Sequence, residues 1–218
     1  MYFEKDELIR FLKEKLEIKS NILNSYLKKI YSHTALYLPK RLIQEKLKKP
    51  GFEFKGYTTD CAILLIDITG FTQLAEKLAK IGREGAEEIT EIVNSYFTPL
   101  VEIIYNYGGE LLRFSGDALD VIFEPIRNNT HRVLRALYTG FIASHSRKKF
   151  TTTCGKFELV PHVTIDIGKL QLIELGTPIM GLQFTVMGKP TTQVASIEDF
   201  AGSGEILISH EFLDEILK

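Results

Sequence analysis

The chain has 218 residues, of which 44% are hydrophobic and 25% charged, and its formal net charge is −1. This composition is typical of a globular protein with a substantial core. No apolar run approaches the ~20 residues of a membrane-spanning helix, and the N-terminus lacks the basic-then-apolar order of a signal peptide. Cys61 and Cys154 are too few for a disulfide framework or a cysteine zinc site, so we expect a cytoplasmic protein.

The charge is unevenly distributed along the chain. Residues 1–56 contain 13 Lys and Arg against 7 Asp and Glu, whereas residues 57–218 contain 14 against 21. The basic N-terminal part fits contact with an acidic protein face or with membrane lipids, and it fits an ordinary solvated surface equally well. The acidic remainder argues against nucleic-acid binding, which favours clustered basic residues.

Apolar residues recur every three or four positions over residues 4–31, which predicts an amphipathic helix. A second short helix, with a proline in its first turn, is predicted over residues 39–48. Proline and glycine residues then mark a connector that ends at Gly56. We therefore predict an N-terminal helical extension, residues 1–56, before a body that comprises residues 57–218.

The body alternates predicted strands and helices. Its first strand, residues 61–67, is a nearly continuous apolar run, which is typical of a central strand buried on both faces. The other predicted elements are helices over residues 71–80 and 85–106, a hairpin of residues 110–113 and 118–123, a helix over residues 129–149, a hairpin of residues 162–167 and 170–175, and strands over residues 184–187 and 205–208 with a helix between them. This order predicts an α+β fold with a ferredoxin-like core, in which helices cover one face of a mostly antiparallel sheet.

Two aspartates follow the hydrophobic strand sequences. Asp67 ends the first strand, and Asp117 lies in the tight turn of the first predicted hairpin. A carboxylate in such a position is costly to bury unpaired, and a pair of divalent cations removes that cost while keeping positions open for phosphate oxygens. Gly70 and Gly116 would let backbone amides approach a polyphosphate closely. The pattern predicts a metal-dependent nucleotide site, although each acid alone also fits an ordinary strand-end or turn residue.

Four segments, in order, resemble the catalytic domain of class III nucleotidyl cyclases. They are residues 65–72 (LIDITGFT), similar to F-x-D-I-x-G-F-T, residues 109–117 (GELLRFSGD), similar to G-x-x-x-K-x-x-G-D, and residues 184–188 and 204–209, similar to Y-x-V-x-G and G-E-I-L-I-S. The phrase GGELLRFSGDAL most resembles the first catalytic domain of soluble, bicarbonate-responsive adenylyl cyclases. The resemblance extends from about Tyr57 to the C-terminus, and it implies the class III cyclase fold.

In this family, two domains meet head to tail and build active sites at their interface. The resemblance implies that Asp67 and Asp117 bind two Mg²⁺ or Mn²⁺ ions, with the Ile68 carbonyl as a further ligand. One ion would lower the pKa of the ribose 3′-hydroxyl and the other would hold the triphosphate, for in-line attack on the α-phosphate and release of pyrophosphate. Four residues with backbone amides at a helix start are expected to bind phosphate: Thr69, Gly70, Phe71 and Thr72. The implied partners are a nucleoside triphosphate, ATP by default, and a second cyclase domain from a homodimer or a complementary domain.

The other half of the composite site departs from the pattern of active homodimeric cyclases. That pattern has an asparagine and, four residues later, an arginine, whereas this chain has Thr192 and Ser196. A serine cannot neutralise charge on the transferring phosphoryl group. Arg113 and Gln183 match two base-recognition positions, and because both are altered, guanine and pyrimidine substrates stay open beside ATP. Arg113 fits three roles equally: contact with a base, binding of an anion, or pairing with an acid on the sheet surface.

Asp120 and Lys189 are predicted to be surface residues. Strand alternation puts Asp120 on the face opposite Asp117, so we expect it to be solvated rather than a metal ligand. Lys189 fits a surface lysine better than a phosphate contact. The five histidines show no metal-ligand spacing and are assigned no role: His33, His131, His145, His162 and His210.

Residues 108–110 (GGE) also resemble the signature of diguanylate cyclases, which share a related core. In that family the signature turn itself joins the two catalytic strands, whereas here residues 115–117 form the joining turn. We therefore favour the class III family.

Two functions from different classes stay open. The first is an active cyclase domain that contributes the metal half of a composite site, and Asp67 and Asp117 favour it. The second is a catalytically silent module for regulation or dimerisation, with or without bound nucleotide, and Thr192 and Ser196 favour it for a homodimer. The chain stops soon after residues 204–209, which also fits the N-terminal piece of a longer protein with a complementary domain downstream.

Overall fold

The computed structural model describes residues 25, 56–126, 131–177 and 181–218, with the backbone alone for residues 177 and 181–184. Apart from Ser25, the two predicted N-terminal helices lie outside the described residues, and the division at residue 56 stays a prediction. The chain divides into two units, Met1–Tyr57 with Leu172–Val186, and Thr58–Gln171 with Met187–Lys218. No helix in the described part of the chain is both long and apolar enough to cross a membrane.

The described residues form seven strands and five helices. In chain order these are β1 (Tyr57–Thr69), α1 (Phe71–Ala79), α2 (Arg83–Asn106), β2 (Glu110–Ser115), β3 (Ala118–Phe123), α3 (Arg132–Ser144), β4 (Lys148–Thr152), β5 (Gly155–Thr177), β6 (Gly181–Met187), α4 (Lys189–Glu198), β7 (Ile206–Ile208) and α5 (His210–Ile216). The predicted α+β fold with a mostly antiparallel sheet is confirmed.

Strand β1 lies in the middle of the sheet, as its apolar run predicts. The strands follow the order β2-β3-β1-β5-β4, and β7 adds to β5 in parallel. All six residues from Cys61 to Ile66 are buried, because neighbouring strands flank β1 on both sides and helices pack on the sheet. The core joins β1 residues such as Leu64 to α2 residues such as Phe97 and Leu100. In the smaller unit, β6 pairs with β5.

The first predicted hairpin is confirmed, and its turn has two residues. Ser115 of β2 lies opposite Ala118 of β3, so only Gly116 and Asp117 connect the strands. Gly116 has a φ of 68°, the left-handed conformation that two-residue hairpin turns require and that glycine adopts without strain. The turn therefore fixes Asp117 at the end of the sheet.

The second predicted hairpin is wrong. Residues 162–167 and 170–175 belong to one continuous strand, β5, whose hairpin partner is β4. Gly168, which lies between the two predicted strands, has a φ of 153°, and the strand continues through it. The strand β4 was missed because residues 148–149 were included in the predicted helix over residues 129–149.

Helix α3 ends at Ser144, earlier than predicted. The side chains at its end bond the preceding turn: Ser144 Oγ donates to the Phe141 carbonyl, and Ser146 Oγ donates to the Ile142 carbonyl. Such local bonds compete with continued helix. Helix α5 was not predicted, although Ser209 caps it by accepting the Phe212 N–H at 3.0 Å.

Candidate functional site

The end of β1 and the β2–β3 turn bring the two predicted metal-binding acids into electrostatic contact. Ile66 lies opposite Leu119, so Asp67 follows this pair and Asp117 lies just before β3. Burial raises the pKa of the Asp67 carboxyl above its ordinary value, and the charge of Asp117 raises it further, while His162 and the backbone N–H of residue 68 lower it. A cation bound at Asp67 would stabilise it as a carboxylate, because the positive charge offsets the repulsion from Asp117.

Helix α1 begins directly after β1, beside Asp117. Its N-cap, Gly70, has a φ of 94°, and a Cβ there would lie 2.8 Å from the carbonyl oxygen of Glu158, so the position needs glycine. The first turn of α1 contains no acidic residue. Thr72, in that turn, donates a hydrogen bond from Oγ1 to Asp117 Oδ2 at 3.0 Å. The segment that the sequence predicts to bind phosphate therefore lies at a helix N-terminus beside a predicted metal ligand.

Two further residues lie near Asp67: His162, to which the sequence assigned no role, and Glu198. His162 Nε2 lies 3.5 Å from Asp67 Oδ2 and 3.6 Å from Glu198 Oε1. One ligand atom from each of the three side chains lies within 4.8 Å of the others. The other ring nitrogen, His162 Nδ1, lies 3.2 Å from Thr69 Oγ1. The acid at the end of β1 thus belongs to a second cluster with a histidine and a glutamate.

The pKa of the Glu198 carboxyl is shifted in the same direction as that of Asp67. Burial raises the pKa of the Glu198 carboxyl, the negative charge of Asp67 raises it further, and His162 lowers it. His162 itself is 8% exposed. The cluster therefore places two mutually repelling acids around a buried imidazole.

Sequence reasoning missed this cluster for a topological reason. Asp67 lies in β1, His162 in the neighbouring strand β5 and Glu198 at the end of α4. Metal motifs are recognised by close spacing along one element, and here pairing of distant strands creates the proximity. The available signal was a polar residue, His162, inside a strand whose neighbours Val163 and Ile165 are buried.

The residues at the two degenerate positions lie on the outer face of α4. Thr192 and Ser196 are both exposed and one helical turn apart. Ser196 Oγ donates a hydrogen bond to the Thr192 carbonyl oxygen at 2.8 Å. Their own side chains therefore present no positive charge.

Arg113 pairs with an acid on the sheet, one of the three roles that the sequence left open. Its Nε donates to Asp120 Oδ2, and the Arg113 side chain stays 68% exposed. The expectation that Asp120 is solvated is wrong, because its side chain is only 13% exposed. β3 lies between β2 and β1, and the ion pair compensates for the burial of the carboxylate.

Lys189 is a surface residue, as predicted. Its side chain is largely exposed and its Nζ lies 2.6 Å from Glu211 Oε1. This hydrogen bond raises the pKa of the Lys189 ammonium. Gln183 lies in β6, where only the backbone is described, so its role in base recognition stays a prediction, as does that of Arg113.

By sequence, this chain is similar to adenylate cyclases. No protein-family model matches the chain. The rat protein "Adenylate cyclase type 10" is 24% identical over 152 residues, 69% of this chain and 9% of that protein. Its human counterpart is 23% identical over 177 residues, 80% of this chain and 11% of that protein. "Adenylate cyclase 1" of Rhizobium meliloti is 25% identical over 170 residues, 74% of this chain and 24% of that protein. The chain thus spans a small fraction of the curated relatives that it matches.

By structure, this chain is similar to adenylyl and guanylyl cyclases. The adenylyl cyclase CyaB from P. aeruginosa has a TM-score of 0.61 at 24% identity and covers 75% of this chain and 83% of its own. The guanylyl cyclase Cya2 has a TM-score of 0.59 at 23% identity, and the match covers 73% of this chain and 79% of Cya2. A bacterial light-regulated adenylyl cyclase has a TM-score of 0.67 at 19% identity, and the match covers 89% of this chain and 55% of that chain. The predicted resemblance to class III nucleotidyl cyclase catalytic domains is confirmed, and the fold is that of these domains.

Proposed function

We propose that the chain is a nucleotidyl cyclase domain that converts a nucleoside triphosphate, ATP by default, to a 3′,5′-cyclic nucleotide and pyrophosphate. The observation that carries the proposal is the placement of Asp67, near the end of β1, and Asp117, in the turn before the neighbouring strand β3, beside the N-terminus of α1. The adenylate cyclases among its relatives support ATP as the default substrate. A guanylyl cyclase with the same fold keeps GTP as a second candidate.

Two divalent cations, Mg²⁺ or Mn²⁺, fit the acids of this site. Carboxylate and carbonyl oxygens are the ligands that these cations prefer, and Asp67, Asp117 and the Ile68 carbonyl supply them. The raised pKa of Asp67 supports this fit, because an added positive charge relieves the repulsion from Asp117. Bound there, the ions would supply an acidified ribose hydroxyl and charge neutralisation of the triphosphate.

The chain's own residues would hold and orient the triphosphate. The positive end of α1 attracts anionic phosphate oxygens, and glycine at the N-cap keeps that end open to close approach. Thr72 ties the first turn of α1 to Asp117, which fixes the phosphate site relative to the metal ligand. This arrangement favours one orientation of the α-phosphate for in-line attack.

We propose that a second cyclase domain completes the site. In the described part of the chain, the outer face of α4 offers two hydroxyl groups, Thr192 and Ser196, where an active homodimer needs an asparagine and an arginine. Lys189 and Arg113 already pair with acids of this chain. A complementary domain would therefore supply the missing charge, in a cytoplasmic assembly.

The second candidate function is a catalytically silent module that binds nucleotide. The neutral, exposed face of α4 favours it. One experiment separates the two candidates: the wild-type chain and the Thr192→Asn, Ser196→Arg double variant are incubated with Mn²⁺ and each of the four ribonucleoside triphosphates, and cyclic nucleotide, pyrophosphate and nucleotide binding are measured. Cyclic nucleotide from the double variant with any triphosphate supports the cyclase. Binding without product in both proteins supports the silent module, and absence of binding contradicts both.

A further inference from the structure

The cluster of Asp67, His162 and Glu198 has the spacing of ligands around one cation. Hydrogen bonds join heavy atoms at about 2.7–3.2 Å, whereas His162 Nε2 lies 3.5 and 3.6 Å from its two carboxylate neighbours. Ligands bound ~2.0–2.1 Å from a tetrahedral metal ion lie about 3.4 Å from one another. His162 Nε2 is therefore separated from each carboxylate as metal ligands are from one another, and the three ligand atoms all lie within 4.8 Å of one another.

The surroundings of His162 orient its ring as a metal ligand. Thr69 Oγ1 lies within hydrogen-bond distance of Nδ1, which directs Nε2 toward the two carboxylates. Histidines that bind metals commonly use their second nitrogen in this way. The ring is 8% exposed, so its orientation is set by packing as well as by this bond. The imidazole is held in place before any ion arrives.

The two carboxylates lie close together and are largely covered. The side chains of Asp67 and Glu198 are 21% and 33% exposed, and both face the His162 ring. A divalent ion bound between two such carboxylates would offset the cost of holding them together away from water. The three ligands come from β1, β5 and α4, so such an ion would also crosslink a strand pair to the end of a helix.

We propose that Asp67, His162 and Glu198 form a transition-metal site that selects Zn²⁺ over Mg²⁺. An imidazole nitrogen with two carboxylates suits zinc, whereas magnesium prefers an all-oxygen shell. Three protein ligands leave a fourth tetrahedral position for water. The site goes beyond the proposed function, because zinc binding here needs neither nucleotide nor a second domain.

The test is metal binding by the full chain without nucleotide. The protein is dialysed against Zn²⁺ with excess Mg²⁺ and its zinc is measured, and Co²⁺ is then added to the zinc-free protein to record visible absorption. We expect one zinc per chain and the intense absorption of tetrahedral cobalt. His162→Gln and Glu198→Gln should each weaken zinc affinity more than about tenfold, since loss of a ligand exceeds the ~10–100-fold effect of losing a ligand's partner.

Two control variants separate this site from its surroundings. Asp117→Asn removes a predicted magnesium ligand, and His210→Gln removes a histidine whose side chain is 81% exposed. Both should retain one zinc per chain. Unchanged zinc affinity in His162→Gln and Glu198→Gln, or weak octahedral cobalt absorption, would overturn the proposal and leave His162 as a polar contact between the two acids. If His162→Gln does not fold by circular dichroism, the Glu198 variant, at a helix end, decides the test.

Because Asp67 is common to both sites, zinc should compete with the nucleotide-bound metals. We expect Zn²⁺ to weaken binding of the Mn²⁺–triphosphate complex in the wild type and to do so less in Glu198→Gln. This arm rests on the proposed function. If zinc binds but does not compete with the triphosphate complex, Asp67 is not shared between the two sites. If the Mn²⁺–triphosphate complex fails to bind even in the absence of zinc, the proposed function is refuted and the zinc site is not.

Discussion

The two halves of the predicted active site differ in charge. At the end of β1, the charge of Asp117 raises the pKa of Asp67, and α1 begins beside Asp117. On the outer face of α4, Thr192 and Ser196 carry no charge, and Ser196 bonds its own helix. The first half contains two acids that are costly to hold together without a ligand, whereas the two α4 positions contain no charged residue.

This difference separates what the fold requires from what catalysis requires. Helix α4 still buries Pro190 and Val194, because apolar residues at these positions pack the helix on its own domain. Its exposed positions contribute nothing to that packing, so an arginine there would be kept only for chemistry. The absence of charge at Ser196 therefore leaves the helix intact, and it does not alter the residues of the proposed metal half.

The largest expected effect comes from the acids of the metal half. Asp67→Ala and Asp117→Ala should each abolish binding of the Mn²⁺–triphosphate complex in calorimetry, a loss of more than about a hundredfold, since each removes a charged metal ligand. The thermal unfolding midpoint without metal should stay the same or rise, because repulsion between the acids is relieved. Asp214→Ala, an exposed acid on α5, is the control and should bind normally.

The second effect concerns the α4 half. The isolated chain should show little or no cyclase turnover, because the charge missing at Ser196 has analogues worth about a thousandfold or more. The double change Thr192→Asn with Ser196→Arg should raise turnover by a similar factor in an assay for cyclic nucleotide. Thr192→Asn with Ser196→Gln keeps a polar side chain without the charge and should stay inactive.

Robust turnover of the wild-type chain would contradict this contrast between the two halves. Lys189 or Arg113 would then be the first candidates for the missing charge. Their ion pairs with Glu211 and Asp120 would have to open during catalysis. Lys189→Met and Arg113→Met would identify which of them contributes.

A smaller effect tests whether α1 and the metal half act together. Thr72→Val removes the hydrogen bond to Asp117 and should weaken triphosphate binding by about three- to tenfold, the equivalent of roughly 1 kcal/mol for one hydrogen bond. Thr90→Val is a matched control, because Thr90 donates to the Ala86 carbonyl within α2. An equal effect of the two changes would show that Thr72 matters only for helix stability.

The sequence predicted the elements whose signals are local. The apolar run of β1, the tight turn that holds Asp117 and the helix after Gly70 are each encoded in neighbouring residues. The strand β5 was predicted as a hairpin of residues 162–167 and 170–175, whereas it continues through Gly168. Local patterns cannot distinguish a hairpin from one long strand, since most pairing partners of β5 lie elsewhere in the chain.

The candidate site shows the same limit. Asp67 and Asp117 could be identified because their motifs contain the chemistry and its turn residues together. His162 and Glu198 could not, because strand pairing and the packing of α4 bring them to Asp67. Burial of Asp120 was missed for a related reason: its partner Arg113 lies across the hairpin.

The smallest expected effect is a pH dependence of stability at the cluster of Asp67, His162 and Glu198, which the exposed face of α4 around Ser196 should not show. Folding raises the pKa of Asp67 and Glu198, chiefly through burial. The native state therefore binds protons more tightly than the unfolded state, and the free energy of unfolding falls as pH rises from the ordinary carboxyl pKa through the raised one. Glu198→Gln removes one of these groups and lessens the repulsion on the other, so the difference in stability between variant and wild type should grow across that window in urea titrations. Ser196→Ala, on the same helix, should give a difference that is independent of pH. A Glu198→Gln difference that is flat with pH would mean that the folded protein already holds these carboxylates fully ionised.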